Sequence, residues 1–159
     1  MLSKILTTTV MGMDASSITV ETNISRGLPC YNVVGLGDTV IREAGSRIRA
    51  AIANSGMEYP MTRIDVNLAP ASSRKEGSHF DLPMALGILA SSGQIKNEEK
   101  TAFFGELSMD GRINPVRGIL PMVIAAEKEG IHSVVVPRGN AGEASLVRNL
   151  HIYCAESLS

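Results

Sequence analysis

A chain of 159 residues with 44% hydrophobic side chains can build the core of one domain of ordinary size. Its formal net charge of −1, from 15 basic and 16 acidic side chains, argues against a protein whose whole surface binds a polyanion, although it permits a local basic patch. The two cysteines, Cys30 and Cys154, are far apart in the sequence and form no CxxC motif, so that no zinc site or disulfide framework is expected and two free thiols fit a reducing cytosol. We expect a cytoplasmic protein, because the chain shows no signal peptide and no run of about 20 apolar residues.

Three strands are predicted in the first 35 residues. The segments KILTTTV and SSITVETNIS are rich in β-branched residues and flank the turn MGMD, and YNVVGL follows the turn RGLP. From Asp38 to Asn54 the apolar residues recur at helical spacing, and Gly56 is expected to end this helix. The apolar stripe comprises Ile41, Ala44, Ile48, Ala51 and Ile52, and Arg42, Arg47 and Arg49 lie off it.

The rest of the chain continues as an α/β pattern. RIDVNLAP alternates as a strand, and a loop then leads into a second helix that ends at Gly93. AFFGELSMDGRINP is predicted to be a hairpin turning at Asp110-Gly111. A third helix from about Ile119 to Glu129, the strand SVVVP, a short helix near NAGEASLV and the strand HIYCA follow. The predicted organisation is a single α/β domain over residues 1–159.

The sequence SHFD, residues 78–81, has the residue types of a hydrolase triad within four positions. Adjacent residues of a helix or strand point in different directions, and known triads draw their members from distant parts of the chain. Asp81 followed by Leu82 and Pro83 is instead typical of a helix start. We predict that Asp81 is the N-cap of the second helix. A capping box of Ser78 with Asp81 is the alternative, but it would place Pro83 too deep in the helix.

Three separated segments are similar to the amino-terminal domain of Mg-chelatase-like proteins, the family of the competence protein ComM (YifB). They are VVGLGDTVIREAGSRIRAAIANSG, NLAPASSRKEGSHFDLPMALGILASSGQ and FFGELSMDGRINPVRGILPMVIAA, and the resemblance runs from about Leu2 to the last residue. It implies the fold of the Lon protease domain and of the second domain of ribosomal protein S five, a mixed sheet with helices mainly on one side. It also implies an AAA+ ATPase domain downstream of these residues.

The resemblance to Lon further implies that the catalytic residues are missing. Lon-type peptidases use a Ser-Lys dyad, whose serine lies in a signature similar to Lys-Asp-Gly-Pro-Ser-Ala-Gly. Aligned with residues 75–81, this signature places His79 at the nucleophile position, and the dyad lysine falls on Leu120. Because leucine cannot accept a proton, the resemblance implies a Lon-like domain without peptidase activity. The alternative is a divergent serine peptidase using Ser78 with Lys75. The motif residues expected to be structural are Gly77, Asp81, Pro83, Asp110, Gly111 and Gly118.

No nucleotide or metal site is predicted within this chain. It has no Gly-Lys-Ser/Thr sequence, which excludes a P-loop, and Gly35-X-Gly37 lacks the third glycine of a dinucleotide turn because Val40 stands there. The three histidines are scattered, and no acidic cluster has the spacing of a calcium loop. ATP and magnesium are therefore expected only in the downstream ATPase domain.

DNA is the partner that the residues leave open. Arg74, Lys75, Arg112 and Arg117 are predicted to form one cationic patch, because the two loops that carry them hold the dyad in the Lon arrangement. The alternative is that the arginines are solvated or paired with Glu43, Glu76 or Asp110.

The resemblance also implies that the full-length relatives form a ring, expected to be hexameric, and act on DNA in natural transformation as a branch-migration helicase. The expected role of this chain is therefore that of a non-catalytic accessory domain, serving ring assembly, DNA engagement or both. No membrane partner is expected.

Overall fold

In the computed structural model, which describes residues 1–159, nine β-strands and four α-helices follow one another. The strands are β1 Leu2–Met11, β2 Asp14–Ser25, β3 Cys30–Val34, β4 Arg63–Ala69, β5 Thr101–Phe103, β6 Glu106–Leu107, β7 Ile113–Asn114, β8 Ser133–Pro137 and β9 His151–Ala155. The helices are α1 Thr39–Asn54, α2 Asp81–Ser91, α3 Ile119–Lys128 and α4 Ala141–Ala144. None of these helices is long and apolar enough to cross a membrane.

Seven strands form one mixed sheet in the order β3-β4-β2-β1-β5-β8-β9. Strand β2 is antiparallel to both of its neighbours, and every other pair in the sheet is parallel. Six of the seven strands therefore run in the same direction. The predicted mixed α/β fold is confirmed.

The helices divide between the two faces of this sheet. Ser3 Oγ donates a hydrogen bond to the carbonyl of Gly87 in α2 (2.8 Å), whereas Thr8 Oγ1 donates to the carbonyl of Met122 in α3 (2.7 Å). Residues 3 and 8 point to opposite faces, because β1 pairs with β2 without a bulge. The helices α1 and α2 share one hydrophobic cluster on one face, and α3 and α4 share a second cluster on the other, so the helices do not lie mainly on one side as predicted.

The local patterns of the sequence account for most element boundaries. The five apolar residues of the stripe on α1 are all fully buried against β2, β4 and α2. Asp38 caps this helix, since its Oδ1 accepts a hydrogen bond from the Ile41 N–H (2.9 Å). Gly56 and Gly93, predicted to end α1 and α2, and Gly130, which follows α3, all have positive φ values, which stop a helix.

The predicted hairpin is correct at its turn and wrong in its first strand. Asp110 and Gly111 form the turn of the small β6–β7 hairpin, where Asp110 Oδ1 accepts from the Arg112 N–H (3.0 Å). The residues Thr101–Phe103 leave the hairpin and join the main sheet as β5, between β1 and β8. Ala102 is fully buried between those two strands, and this burial favours the main sheet over the hairpin.

Candidate functional site

The candidate site lies beyond the carboxyl ends of the parallel strands. The chain leaves β3 and returns in β4 through α1 on one face of the sheet, and it leaves β5 and returns in β8 through α3. Since α1 and α3 lie on opposite faces, the loops after β3, β4 and β5 diverge around a crevice at this edge. Open α/β sheets bind ligands at such points.

The loop after β3 and the loop after β4 are joined by backbone hydrogen bonds. Lys75 N–H donates to the Leu36 carbonyl (3.0 Å), and Asp38 N–H donates to the Lys75 carbonyl (2.9 Å). Asp38 Oδ2 also accepts from the Gly77 N–H (3.3 Å). The cap of α1 therefore holds residues 75–77 in place along one wall of the crevice.

His79, which the resemblance places at the nucleophile position, is a buried and neutral imidazole. Its side chain is 5% exposed, and Nε2 lies 2.9 Å from the Thr8 carbonyl oxygen. A carbonyl oxygen only accepts, so Nε2 carries the proton and Nδ1 keeps a lone pair. Burial lowers the pKa of His79 to about 4, although the contact with Thr8 acts in the opposite direction. His79 offers a hydrogen-bond acceptor rather than a hydroxyl or thiol nucleophile.

Two neighbouring cavities open above His79. They measure about 270 Å³ and 380 Å³ and share Gly77, His79 and Arg117 in their walls. We call these two cavities together the cleft. The smaller is also lined by Thr9, Val10, Glu76, Gly118, Pro121 and Met122, and the larger by Ser78, Glu106, Pro115 and Val116. The loop before α2 and the turn before α3 therefore meet, as predicted from the Lon arrangement.

No base is hydrogen-bonded to Ser78, the serine that lines the cleft. Leu120, at the position of the dyad lysine, packs against the hydrophobic cluster under α3. Lys75 is 1% exposed, and its Nζ donates to the carbonyls of Gly35 (2.6 Å) and Pro70. Burial lowers the pKa of Lys75, but the amine lines a different cavity from Ser78 and makes no hydrogen bond with it. The alternative Ser78–Lys75 pair is not assembled.

The predicted cationic patch is not brought together either. Lys75 is buried and its ammonium is occupied by main-chain carbonyls, so it cannot contact a phosphate. Arg112 lines a separate cavity of about 600 Å³ with Arg138 and Glu156, and its Nη2 lies 3.7 Å from Asp110 Oδ2. Only Arg74 and Arg117 remain as exposed cations beside residues 76–77.

Asp81 is not the N-cap of α2. Its backbone is already helical (φ −53°, ψ −50°), and Phe80 occupies the cap position without a side-chain hydrogen bond. The Asp81 carboxylate instead accepts from Arg47 Nη2 (3.0 Å), Arg47 Nε (3.1 Å) and the Leu107 N–H (3.0 Å). Burial raises the pKa of Asp81, and the hydrogen bonds from Arg47 oppose that effect. This ion pair joins α1, α2 and β6 beneath the cleft.

Several residues of the site could not be identified from sequence patterns. Thr9 and Glu106 line the cleft but stand in strands whose patterns indicate only β-structure. Arg47 was distinguished only as a charged residue off the apolar stripe of α1, a position that usually indicates solvent exposure. Pro83 does lie in the first turn of α2, as predicted.

Comparison with known proteins agrees with this fold. The chain is 41% identical over 150 residues to the competence protein ComM of Haemophilus influenzae, an alignment that covers 93% of this chain and 29% of the relative. It is 39% identical over 159 residues to the uncharacterized protein YifB of Escherichia coli, covering 99% of this chain and 31% of the relative. A Lon protease of Mycolicibacterium smegmatis is 25% identical over 137 residues, which are 82% of this chain and 18% of that protein.

The chain thus spans less than a third of the length of the ComM and YifB relatives that it matches. A family model described as subunit ChlI of Mg-chelatase matches residues 20–140, which include α1, the β6–β7 hairpin and every cleft residue except Thr9 and Val10. These residues are well over half of the 159, and the chain belongs to the Mg-chelatase subunit ChlI family, with ComM and YifB among its relatives.

Proposed function

We propose that this chain is the non-catalytic accessory domain of a longer, ComM-like AAA+ ATPase that acts in the cytoplasm on DNA during uptake and recombination. Its role there is ring assembly, DNA engagement or both, with ATP and magnesium bound in the ATPase region. The proposal that the domain is non-catalytic rests on the residues at the two dyad positions. His79 is neutral and hydrogen-bonded to the Thr8 carbonyl, and Leu120 has no proton acceptor.

The first test is peptide hydrolysis. We expect the purified chain to leave unfolded casein intact, because Ser78 has no hydrogen-bonded base and Lys75 is turned away toward Gly35 and Pro70. The measurement is release of fluorescence from heavily labelled casein. Hydrolysis that Ser78→Ala abolishes, while Ser73→Ala leaves it unchanged, would contradict the proposal.

Ring assembly is supported by the exposed edges of the sheet. Strands β3 and β9 each pair on one side only, so that main-chain N–H and C=O groups remain free along both edges. Removing residues 1–159 from the full-length ATPase should therefore reduce its assembled mass in light scattering. An unchanged hexamer would leave DNA engagement as the proposed role.

DNA engagement would depend on Arg74 and Arg117. Two phosphate contacts predict weak, sequence-independent binding, with a salt slope on duplex DNA of no more than about −2. The double variant Arg74→Glu/Arg117→Glu should abolish this binding in fluorescence anisotropy at low salt, in the chain or in the full-length ring. Arg42→Glu/Arg49→Glu, with the same charge change on exposed positions of α1, is the matched control. Equal binding by both double variants would remove these cations from the proposal.

A further inference from the structure

We propose that the cleft binds an extended peptide segment, whose main-chain N–H and C=O groups pair with polar groups that the protein leaves without partners. This function goes beyond the accessory role above and assigns a ligand class to the cleft. It requires no chemical step, so a bound peptide is released intact.

The floor of the cleft carries one buried polar atom that lacks a partner, Thr9 Oγ1, and a second polar atom, His79 Nδ1, that makes no hydrogen bond. Thr9 is 2% exposed, lines the smaller cavity, and its Oγ1 makes no hydrogen bond. His79 lines both cavities, and its Nδ1 makes no hydrogen bond within the protein, since the one hydrogen bond of the imidazole is through Nε2. A buried polar group without a partner destabilises the folded protein, so a ligand that supplies a partner for Thr9 Oγ1 would recover part of that cost.

The walls of the cleft present free main-chain groups. Glu76 directly follows the bridge between Gly37 and Lys75, and neither its N–H nor its C=O is hydrogen-bonded within the protein. On the opposite wall the Arg117 N–H is also free. Gly118 faces open space, since no atom outside its chain neighbours lies within 4 Å of the position that a Cβ would occupy. An extended peptide can pair with such an edge by strand addition, in which its main chain supplies the affinity.

The donor and acceptor inventory favours a peptide over a phosphodiester. His79 Nδ1 requires a donor, which peptide N–H groups supply and a deprotonated phosphate does not. The carboxylates of Glu76 and Glu106 line the cleft together with Arg117, so that the acidic groups would repel a nucleic-acid backbone. Peptide carbonyls can accept from Arg117 and from the free N–H groups of the walls.

The position and size of the cleft also suit a ligand. It lies where the connections of the sheet pass to opposite faces, the usual binding position in such folds. The larger cavity, about 380 Å³, falls within the range of known ligand pockets.

The test exploits the unpaired hydroxyl of Thr9. Thr9→Val removes the hydroxyl and keeps the shape of the side chain, so we expect it to leave the melting temperature unchanged or raised. It should weaken binding of fluorescein-labelled casein by about tenfold, the loss expected for one hydrogen bond. Thr7→Val is the matched control, because Thr7 is on the same face of β1, is fully buried, has an unpartnered Oγ1 and does not line the cleft. It should leave casein binding unchanged.

A second readout does not depend on any variant. When casein peptides saturate the wild-type chain, the ¹⁵N resonance of His79 Nδ1 should shift, because that atom then accepts a hydrogen bond. The proposal is overturned if the wild type shows no saturable casein binding, if Nδ1 does not shift, or if Thr9→Val and Thr7→Val bind equally. Displacement of casein by single-stranded DNA would assign the cleft to nucleic acid instead. Casein that is bound and also cleaved would support peptide capture while refuting the non-catalytic function, so the two failures are distinguishable.

Discussion

Asp81→Asn should lower the free energy of unfolding by about 3 kcal/mol, although asparagine caps a helix as well as aspartate does. The carboxylate accepts three hydrogen bonds, two from Arg47 and one from the Leu107 N–H, and its side chain is 1% exposed. An amide cannot accept all three without turning its NH₂ group toward a donor. Breaking a buried pair typically costs about 3–5 kcal/mol, and the partial exposure of Arg47 places this case at the low end.

Urea denaturation at neutral pH measures this effect. Asp65→Asn is the matched control, because Asp65 forms an ion pair with Arg63 at the surface, where solvent screening leaves little effect on the free energy of unfolding. The double variant Arg47→Met/Asp81→Leu should recover much of the lost stability, since no charge then remains buried. If Asp81→Asn is as stable as the wild type, the ion pair does not hold α1, α2 and β6 together.

Acid should destabilise the wild-type protein through His79, by about 3 kcal/mol between pH 6.5 and pH 4. The unfolded chain binds a proton on this histidine near pH 6.5, whereas the folded chain does so only near pH 4, because burial lowers the pKa of the imidazole. Between these values the unfolded state holds more protons, so the free energy of unfolding decreases as the pH falls. Below about pH 4 both states are protonated and this contribution stays constant.

His79→Gln isolates this contribution. A glutamine amide can still donate to the Thr8 carbonyl but does not titrate, so the difference in unfolding free energy between wild type and variant should change with pH in this window. The carboxylates contribute equally to both proteins, including Asp81, whose pKa burial raises, and their effect cancels in the difference. A pH-independent difference would show that His79 is not held neutral by the fold.

The features that were predictable from sequence are those decided by neighbouring residues. The stripe on α1, the Asp110-Gly111 turn and the bounds of β8 follow from periodicity and turn chemistry, and the structure reproduces them. The local Asp-Leu-Pro pattern wrongly predicts that Asp81 is a cap. Its carboxylate instead pairs with Arg47, which is 34 residues away in α1. A contact of that kind leaves no trace in local spacing.

In the cleft, too, the meeting of the loops was predictable and the contacts of the side chains were not. The family resemblance correctly predicted that the loops before α2 and α3 meet, but it could not predict the direction of each side chain. Lys75 turns into the protein because the carbonyls of Gly35 and Pro70 converge on its amine. Arg112 lies beside the turn of the β6–β7 hairpin and lines a different cavity, together with Arg138 and Glu156. Those two residues belong to the carboxyl-terminal part of the sequence.

A fluorophosphonate probe tests most directly whether this Lon-like fold lacks an activated serine. The protein would be incubated with excess probe and its intact mass measured, with Ser78→Ala in parallel. We predict an unmodified mass for both proteins, because no base is hydrogen-bonded to Ser78 and His79 occupies the nucleophile position. A single stoichiometric adduct on the wild type that is absent from Ser78→Ala would contradict the non-catalytic function.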